Sequence, residues 1–342
     1  MSRLRSFLED ELDRGSFAGA AAVVLSGEGD RVEAPVGAAR EAAGESRPAD
    51  ASTLWDLASL TKPLAGAALV LALVEAKALE LDDELCRFHD LFRRTKFEGV
   101  TLRRLLAHAS GLPAWFPCYV RGEGRDAYRR TLAALDLEAA PGARAGYSCL
   151  GYLLLADVVE RASSLPLEKF LRDRVTGPLG LSADLLFAPE GDDLARCSGG
   201  ERDDATERRM CAELGLSYGG FREGIVNGEV NDGNALRRFG GVSLNAGLFG
   251  TARAVAEAGR AWMLRDPRLL PEGLVEEATA AHPEAPGYGL GWRLATAGGA
   301  TGGALASEAF GHTGFTGTSL WVDPEARRVF VLLFNRLHPD AR

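Results

Sequence analysis

The sequence predicts an α/β fold: one α/β domain built from both termini, with a mostly helical domain inserted. Two apolar, β-branched stretches, 19–25 and 31–36, flank Ser26-Gly27-Glu28-Gly29-Asp30 and read as a hairpin. Strand-like stretches return at the far end, at 289–294, 317–322 and 328–334, with Asp323-Pro324-Glu325-Ala326 as a turn. Most periodic segments between them repeat at the helical spacing. The expected division gives residues 1–75 and 245–342 to the α/β domain and 76–244 to the helical domain, whose loops would cover a site.

Each element follows from a local signal. Residues 1–14 place Leu4, Phe7, Leu8 and Leu12 on one stripe among charges, which is an amphipathic helix. A signal peptide needs an uninterrupted apolar segment and a small-residue cleavage site, so a cytoplasmic protein is expected unless a leader has been removed. After the hairpin, 64–76 is the most apolar run and reads as a buried helix, too short to span a bilayer. Residues 101–108 form a short helix that stops at Ser110-Gly111-Leu112-Pro113. Helices are expected at 126–135, 147–162 and 167–175, broken by Pro141-Gly142 and Gly177-Pro178-Leu179-Gly180. The polar, acidic stretch 190–208 reads as a surface loop. The glycine-rich stretch 219–250 is suited to wrapping around a site, and 251–264 is again helical.

With 342 residues, 46% hydrophobic and 25% charged, the composition is that of a soluble globular protein of one large or two interleaved domains. A net charge of −9 argues against nucleic acid as a partner. The arginine pairs Arg103-Arg104, Arg129-Arg130 and Arg237-Arg238 are isolated and do not change that. Five cysteines at wide, irregular spacing give neither a disulfide framework nor a zinc ligand set, so reduced thiols and no metal are expected. The phosphate-binding Gly-x-x-x-x-Gly-Lys loop, Gly-x-Gly-x-x-Gly and His-Glu-x-x-His are all missing, and no cofactor is implied.

The chemistry concentrates at Asp56-Leu57-Ala58-Ser59-Leu60-Thr61-Lys62-Pro63. Ser59 and Lys62 would share one helix face a turn apart. A serine hydroxyl becomes a nucleophile when a neighbouring base takes its proton, and the first turn of a helix offers free N–H groups to a developing negative charge. Ser59 as an ordinary N-cap and Lys62 as a first-turn surface residue is the competing reading. Lysine is scarce here, and Lys62 directly precedes the most apolar run, which favours a buried edge.

Tyr147-Ser148-Cys149 opens a helix after a Pro-Gly loop. Beside a lysine cation the Tyr147 pKa would fall and a phenolate base would become available; a half-buried aromatic bonded to a backbone group is the alternative. Gly311-His312-Thr313-Gly314-Phe315-Thr316-Gly317 carries small residues where a backbone would approach a ligand closely, at a strand edge able to offer an N–H to an oxyanion; the alternative is a plain turn. His108 is expected to interact with a helix C-terminus, and His89, His282 and His338 to lie on the surface.

Taken in order, Ser59-x-x-Lys62, Tyr147-Ser148-Cys149 and His312-Thr313-Gly314 resemble the three motifs of the penicillin-recognising serine hydrolases. The resemblance is to the group that holds class C β-lactamases, D-Ala-D-Ala carboxypeptidases and related esterases. Leu54-Trp55-Asp56, Leu105-Leu106-Ala107-His108-Ala109-Ser110-Gly111-Leu112-Pro113, Gly289-Leu290-Gly291-Trp292 and Asn335-Arg336 agree with it. The resemblance implies Ser59 as the acylated nucleophile, Lys62 as the group that lowers its proton affinity, and Tyr147 as general base. It also implies His312, Thr313 and Gly314 as the strand facing the substrate, and the N–H groups of Ser59 and Phe315 as the oxyanion hole. For the fold it implies an α/β (α+β) architecture, a mainly antiparallel sheet flanked by helices, built from both termini, with an inserted mostly helical domain and the site between the two.

Two positions depart from the family pattern. Cys149 stands where Asn is common, and a thiol cannot repeat an amide's hydrogen bonds. His312 stands where β-lactamases mostly carry Lys, so recognition of a substrate carboxylate should weaken. The expected substrate is a small ester or amide; a D-Ala-D-Ala peptide or β-lactam is the alternative, and a catalytically idle binding protein a third.

Overall fold

The structure, a computed structural model, describes residues 3–42, 44–122, 124–296 and 299–340. Helix α1 (Arg3–Asp13) matches the expected amphipathic segment, whose first two residues, Met1 and Ser2, lie outside the described residues. Strands β1 (Gly19–Ser26), β2 (Arg31–Ala42), β3 (Glu45–Pro48) and β4 (Trp55–Asp56) follow. The chain then makes one 3₁₀ turn (Ala58–Leu60), a π-wound segment (Lys62–Ala67) and α2 (Ala68–Glu75). The middle holds α3 (Leu102–Leu106), α4 (Gly124–Ala134), α5 (Cys149–Ser163), α6 (Leu167–Leu171), β5 (Leu185–Phe187), α7 (Asp193–Arg196), β6 (Gly199–Arg202), α8 (Ala205–Glu213), β7 (Ile225–Asn227) and α9 (Gly233–Phe239). The end supplies β8 (Leu248–Gly250), α10 (Ala252–Met263), α11 (Glu272–Thr279), β9 (Arg293–Leu294), β10 (Phe310–Gly314), β11 (Thr318–Asp323) and β12 (Arg328–Phe334).

Strands from both ends build the main sheet, in the order β3-β2-β1-β12-β11-β10-β9 and antiparallel throughout. Alternation along β1 sends Ala21, Val23 and Leu25 into the main core, and Ala20 and Ala22 into a smaller cluster with Leu8 and Phe17 beneath α1. On the main-core face α10 lies so close that a Cβ on Gly259 would come within 3.0 Å of Leu320 and Val329. The run 64–73 is buried on every side, so its apolar character is satisfied inside the protein. Ala58–Glu75 is long and apolar enough to cross a membrane, but 89% of it is covered by the rest of the chain.

Several expectations are corrected. The stretch 190–208 is not a surface loop: it contains α7, β6 and the start of α8, and buries Glu201, Asp204 and Glu207. Arginines make that possible, since Asp204 bonds to both Arg222 and Arg237. The strand at 289–294 shrinks to 293–294. Gly289 packs against the Ala278 carbonyl and Gly291 has φ +86°, so these glycines serve close approach and a turn. His89, His282 and His338 are buried, and His338 Nε2 accepts from the Glu41 N–H at 2.7 Å.

Candidate active site

The turn that carries Ser59 is fixed by its surroundings before any chemistry is considered. Ala58 has φ +46°, a left-handed conformation that costs about 1 kcal/mol or more for a residue with a side chain. Asp56 holds it there: its Oδ1 accepts from the Ala58 N–H at 2.9 Å, and its Oδ2 accepts from Asn231 N and Nδ2, each at 2.8 Å. The sheet holds the same turn from the other side. Thr316 Oγ1 donates to the Asp56 carbonyl at 2.8 Å and Thr318 Oγ1 to the Leu57 carbonyl at 2.9 Å. A three-stranded sheet, β4-β8-β5, delivers the chain into the turn, with Leu57 N donating to the Leu248 carbonyl at 2.9 Å.

Ser59 Oγ is the meeting point of two donors. Lys62 Nζ lies 2.9 Å from it and also donates to the Asn245 carbonyl at 2.8 Å. Tyr147 OH donates to Ser59 Oγ at 2.8 Å. Lys62 is fully buried, with its cation 5.2 Å from the Tyr147 ring centroid and 5.6 Å from that of Tyr152. The surface reading of Lys62 and the N-cap reading of Ser59 therefore both fall; the Ser59 turn is 3₁₀, and no side chain caps it.

The proton on Tyr147 runs against expectation. Burial and the neighbouring Cys149 push the Tyr147 pKa well above the ordinary phenol value, with only the bond to Ser59 acting to lower it. The resting group is a phenol, not the phenolate that a nearby lysine suggested. Cys149 Sγ sits 3.4 Å from Lys62 Nζ and 3.8 Å from Tyr147 OH, so the thiol occupies an acceptor position beside the lysine.

His312 lies on β10, whose pairing with β9 covers Phe310 and Gly311; among the described residues no strand pairs with 312–314 on that side. Its ring is 5.9 Å from that of Tyr147. Nδ1 is 2.8 Å from the Thr313 carbonyl, Nε2 is buried without a partner among the described residues, and burial together with the Lys62 charge lowers the pKa to about 3. His312 is thus neutral, a stronger departure from a cation than partial charge. Gly314 is required by space: a Cβ there would come within 2.8 Å of the Leu57 carbonyl and 3.1 Å of Ala58. Phe315, the residue after β10, lines the same cleft as Ser59.

These residues open into a cleft of about 950 Å³, lined by Ser59, Tyr147, Cys149, His312, Thr313, Gly314 and Phe315 among others. Sequence reasoning missed one wall. Thr206, Glu207, Arg209 and Met210 of α8 reach the cleft, beside Asp232 from the glycine-rich stretch and Trp115 from the segment after α3. Burial pushes the Glu207 pKa up to about 7, aided by Asp232, although Tyr119 O–H and Gly233 N–H both donate to its carboxyl. His108 is no macrodipole partner either: it is buried, and burial followed by the Lys62 charge holds its pKa well below the ordinary value.

Comparison with known proteins adds to this geometry. A family model described as Beta-lactamase matches residues 4–342. A protein of Escherichia coli (strain K12), provisionally named a D-alanyl-D-alanine carboxypeptidase, is 28% identical over 321 residues, covering 85% of this chain and 70% of that protein. Among solved structures, EstCE1, described as a hydrolase with promiscuous acyltransferase activity, superposes with a TM-score of 0.75 at 20% identity, covering 97% of this chain and 92% of its own. A class C beta-lactamase gives 0.76 at 16% identity, covering 99% and 91%. These two share the fold.

Proposed function

The chain belongs to the beta-lactamase family, and from that premise we propose that it is a serine hydrolase acting on small esters or amides through an acyl-Ser59 intermediate. The observation that carries the reading is the convergence of Lys62 Nζ and Tyr147 OH on one serine oxygen, at 2.9 and 2.8 Å, on the wall of an open cleft.

The resting phenol constrains the proton path. With substrate bound, the Tyr147 O–H turns from Ser59 Oγ towards the leaving group and the Ser59 O–H donates to Tyr147 Oη instead; as Oγ then forms its bond to the carbonyl carbon, the serine proton passes to Oη while Tyr147 gives its own proton to the leaving group. The tyrosine acts as a shuttle and never holds a full charge at rest. The Lys62 cation steadies the negative charge that builds on Oγ and Oη. The N–H groups of Ser59 and Phe315 would receive the carbonyl oxygen as it gains charge. Collapse expels the leaving group, and a water molecule repeats the sequence to release the acid.

Substrate preference follows from His312 and Cys149. A neutral imidazole offers no fixed charge to a carboxylate, which favours esters and uncharged amides. One observation favours the second reading, a D-Ala-D-Ala carboxypeptidase or β-lactamase. Arg293, opposite Gly311 in the β9–β10 pair, lines the cleft and can meet a carboxylate in place of the missing lysine. A panel of p-nitrophenyl esters, nitrocefin and D-Ala-D-Ala peptides, run on wild type and Ser59→Ala, separates the two. Ester turnover that vanishes with the serine supports the first reading. Turnover confined to peptide or nitrocefin supports the second, and undiminished turnover in Ser59→Ala overturns both.

A further inference from the structure

Tyr147 does not sit in a regular element, yet its hydroxyl must reach Ser59 Oγ with hydrogen-bond accuracy. It precedes the N-cap of α5, in a segment with extended backbone at Ser148. The residues on either side of it return to a single histidine. The Gly146 N–H donates to the main-chain carbonyl of His108 at 2.8 Å. The Ser148 N–H donates to Nδ1 of the His108 ring at 3.1 Å. The same ring packs against the Tyr147 ring with centroids 4.6 Å apart, and against Tyr152 and Tyr288 at 5.3 and 5.0 Å.

We propose that His108 is the positioning residue for Tyr147, clamping the residue on each side of it while its ring forms the wall on which the phenol rests. The proposal rests on the reading of Tyr147 as the proton shuttle. It gives His108 a task at the site although it touches no reacting atom. An imidazole that accepts at Nδ1 must be neutral with its proton on Nε2, and the burial of His108 among three aromatic rings beside Lys62 keeps it so. Its backbone is adapted to the same purpose. His108 has φ +57°, which turns the chain sharply at the end of α3 and lets one residue present carbonyl and ring to one segment. Two further bonds tie the segment to the neighbouring loop. Ser148 Oγ donates to the Pro113 carbonyl at 2.6 Å and Cys149 N to the Ala114 carbonyl at 2.9 Å. Among the described residues, only His108 acts on both flanks of the tyrosine.

Asparagine gives a direct test, because its Oδ1 stands where histidine carries Nδ1, it accepts a hydrogen bond, and it tolerates positive φ. Glycine accepts the same φ and has no acceptor. His108→Gly should lower kcat for a p-nitrophenyl ester by tenfold or more with KM changed less than threefold, and His108→Asn should recover activity to within about threefold of wild type. Thermal melting of both variants, each of which lacks the ring packing, separates placement from stability: the account expects similar Tm values and unequal kcat. If His108→Gly does not fold, His108→Ala takes its place in the comparison. Equal kcat for the Asn and Gly (or Ala) variants, or kcat that simply follows Tm, overturns the proposal. Tyr147→Phe run alongside keeps the two ideas apart. Full activity there overturns the shuttle reading itself, whereas a large loss there with none in His108→Gly overturns the clamp alone.

Discussion

Lys62 Nζ stands 2.9 Å from Ser59 Oγ and 2.8 Å from the Asn245 carbonyl oxygen, so the buried cation is held on its backbone acceptor while it points at the serine. A lysine with a single flexible contact would spend its time in other rotamers; this one is confined by three acceptors, Ser59 Oγ, the Asn245 carbonyl and Cys149 Sγ, and by two aromatic rings. Lys62→Met keeps most of the buried volume and removes the charge. It should leave Tm at or above the wild-type value, because a buried charge is exchanged for an apolar group. It should also slow acylation by roughly 10²–10⁴-fold, the usual scale of a proton-transfer or charge-stabilising group. Pre-steady-state release of p-nitrophenol measures the rate, and unchanged acylation would remove Lys62 from the chemistry.

Tyr147→Phe deletes the shuttle hydroxyl and little else. Because the tyrosine must hand its own proton to the departing group, the loss should depend on that group. An alkyl ester, whose alkoxide needs the proton, should lose more rate than a p-nitrophenyl ester, by roughly tenfold or more. Equal losses for the two esters would show that Tyr147 does not protonate the leaving group.

Gly314→Ala tests the packing that brings β10 to the nucleophile turn. The new methyl would fall 2.8 Å from the Leu57 carbonyl and 3.1 Å from Ala58 Cβ, and it would also crowd Thr318 Oγ1, which is itself bonded to Leu57. Overpacking of this kind costs about 1–3 kcal/mol. Denaturant unfolding should show that loss, together with a drop in kcat larger than that of an equally destabilising substitution far from the site.

Glu207 makes stability depend on pH. Its folded pKa of about 7 lies above the ordinary 4.5, so between these values the folded state holds a proton that the unfolded state has released. Its contribution to stability is complete below about pH 4.5 and is lost as pH rises through 7, amounting to roughly 3 kcal/mol. Glu207→Gln should flatten the unfolding free energy between pH 5 and 8 relative to wild type. Parallel curves for the two proteins would remove the carboxyl as the source.

The local part of the site was readable because its chemistry is written at short range. Ser59 and Lys62 are one turn apart, and the segments around Tyr147 and His312 carry their own turn and strand signals. The sheet strands were readable from apolar, β-branched stretches and turn residues at the two ends, and their antiparallel order from the family resemblance. Protonation states were not, since they depend on burial that only tertiary packing supplies: the same lysine that suggested a phenolate lies in a pocket that keeps Tyr147 protonated and His312 neutral. The α8 wall was hidden for a related reason. Asp204 and Glu207 look like surface carboxylates until Arg222, Arg237 and Tyr119, up to 88 residues away, are seen to hold them.

The central claim is that Ser59 becomes acylated, and mass spectrometry of the intact protein tests it most directly. After treatment with a fluorophosphonate or a slowly released activated ester, the protein should gain one adduct that maps to the peptide containing Ser59, and Ser59→Ala should gain none. An adduct on another residue, or ester turnover in Ser59→Ala equal to wild type, would contradict it.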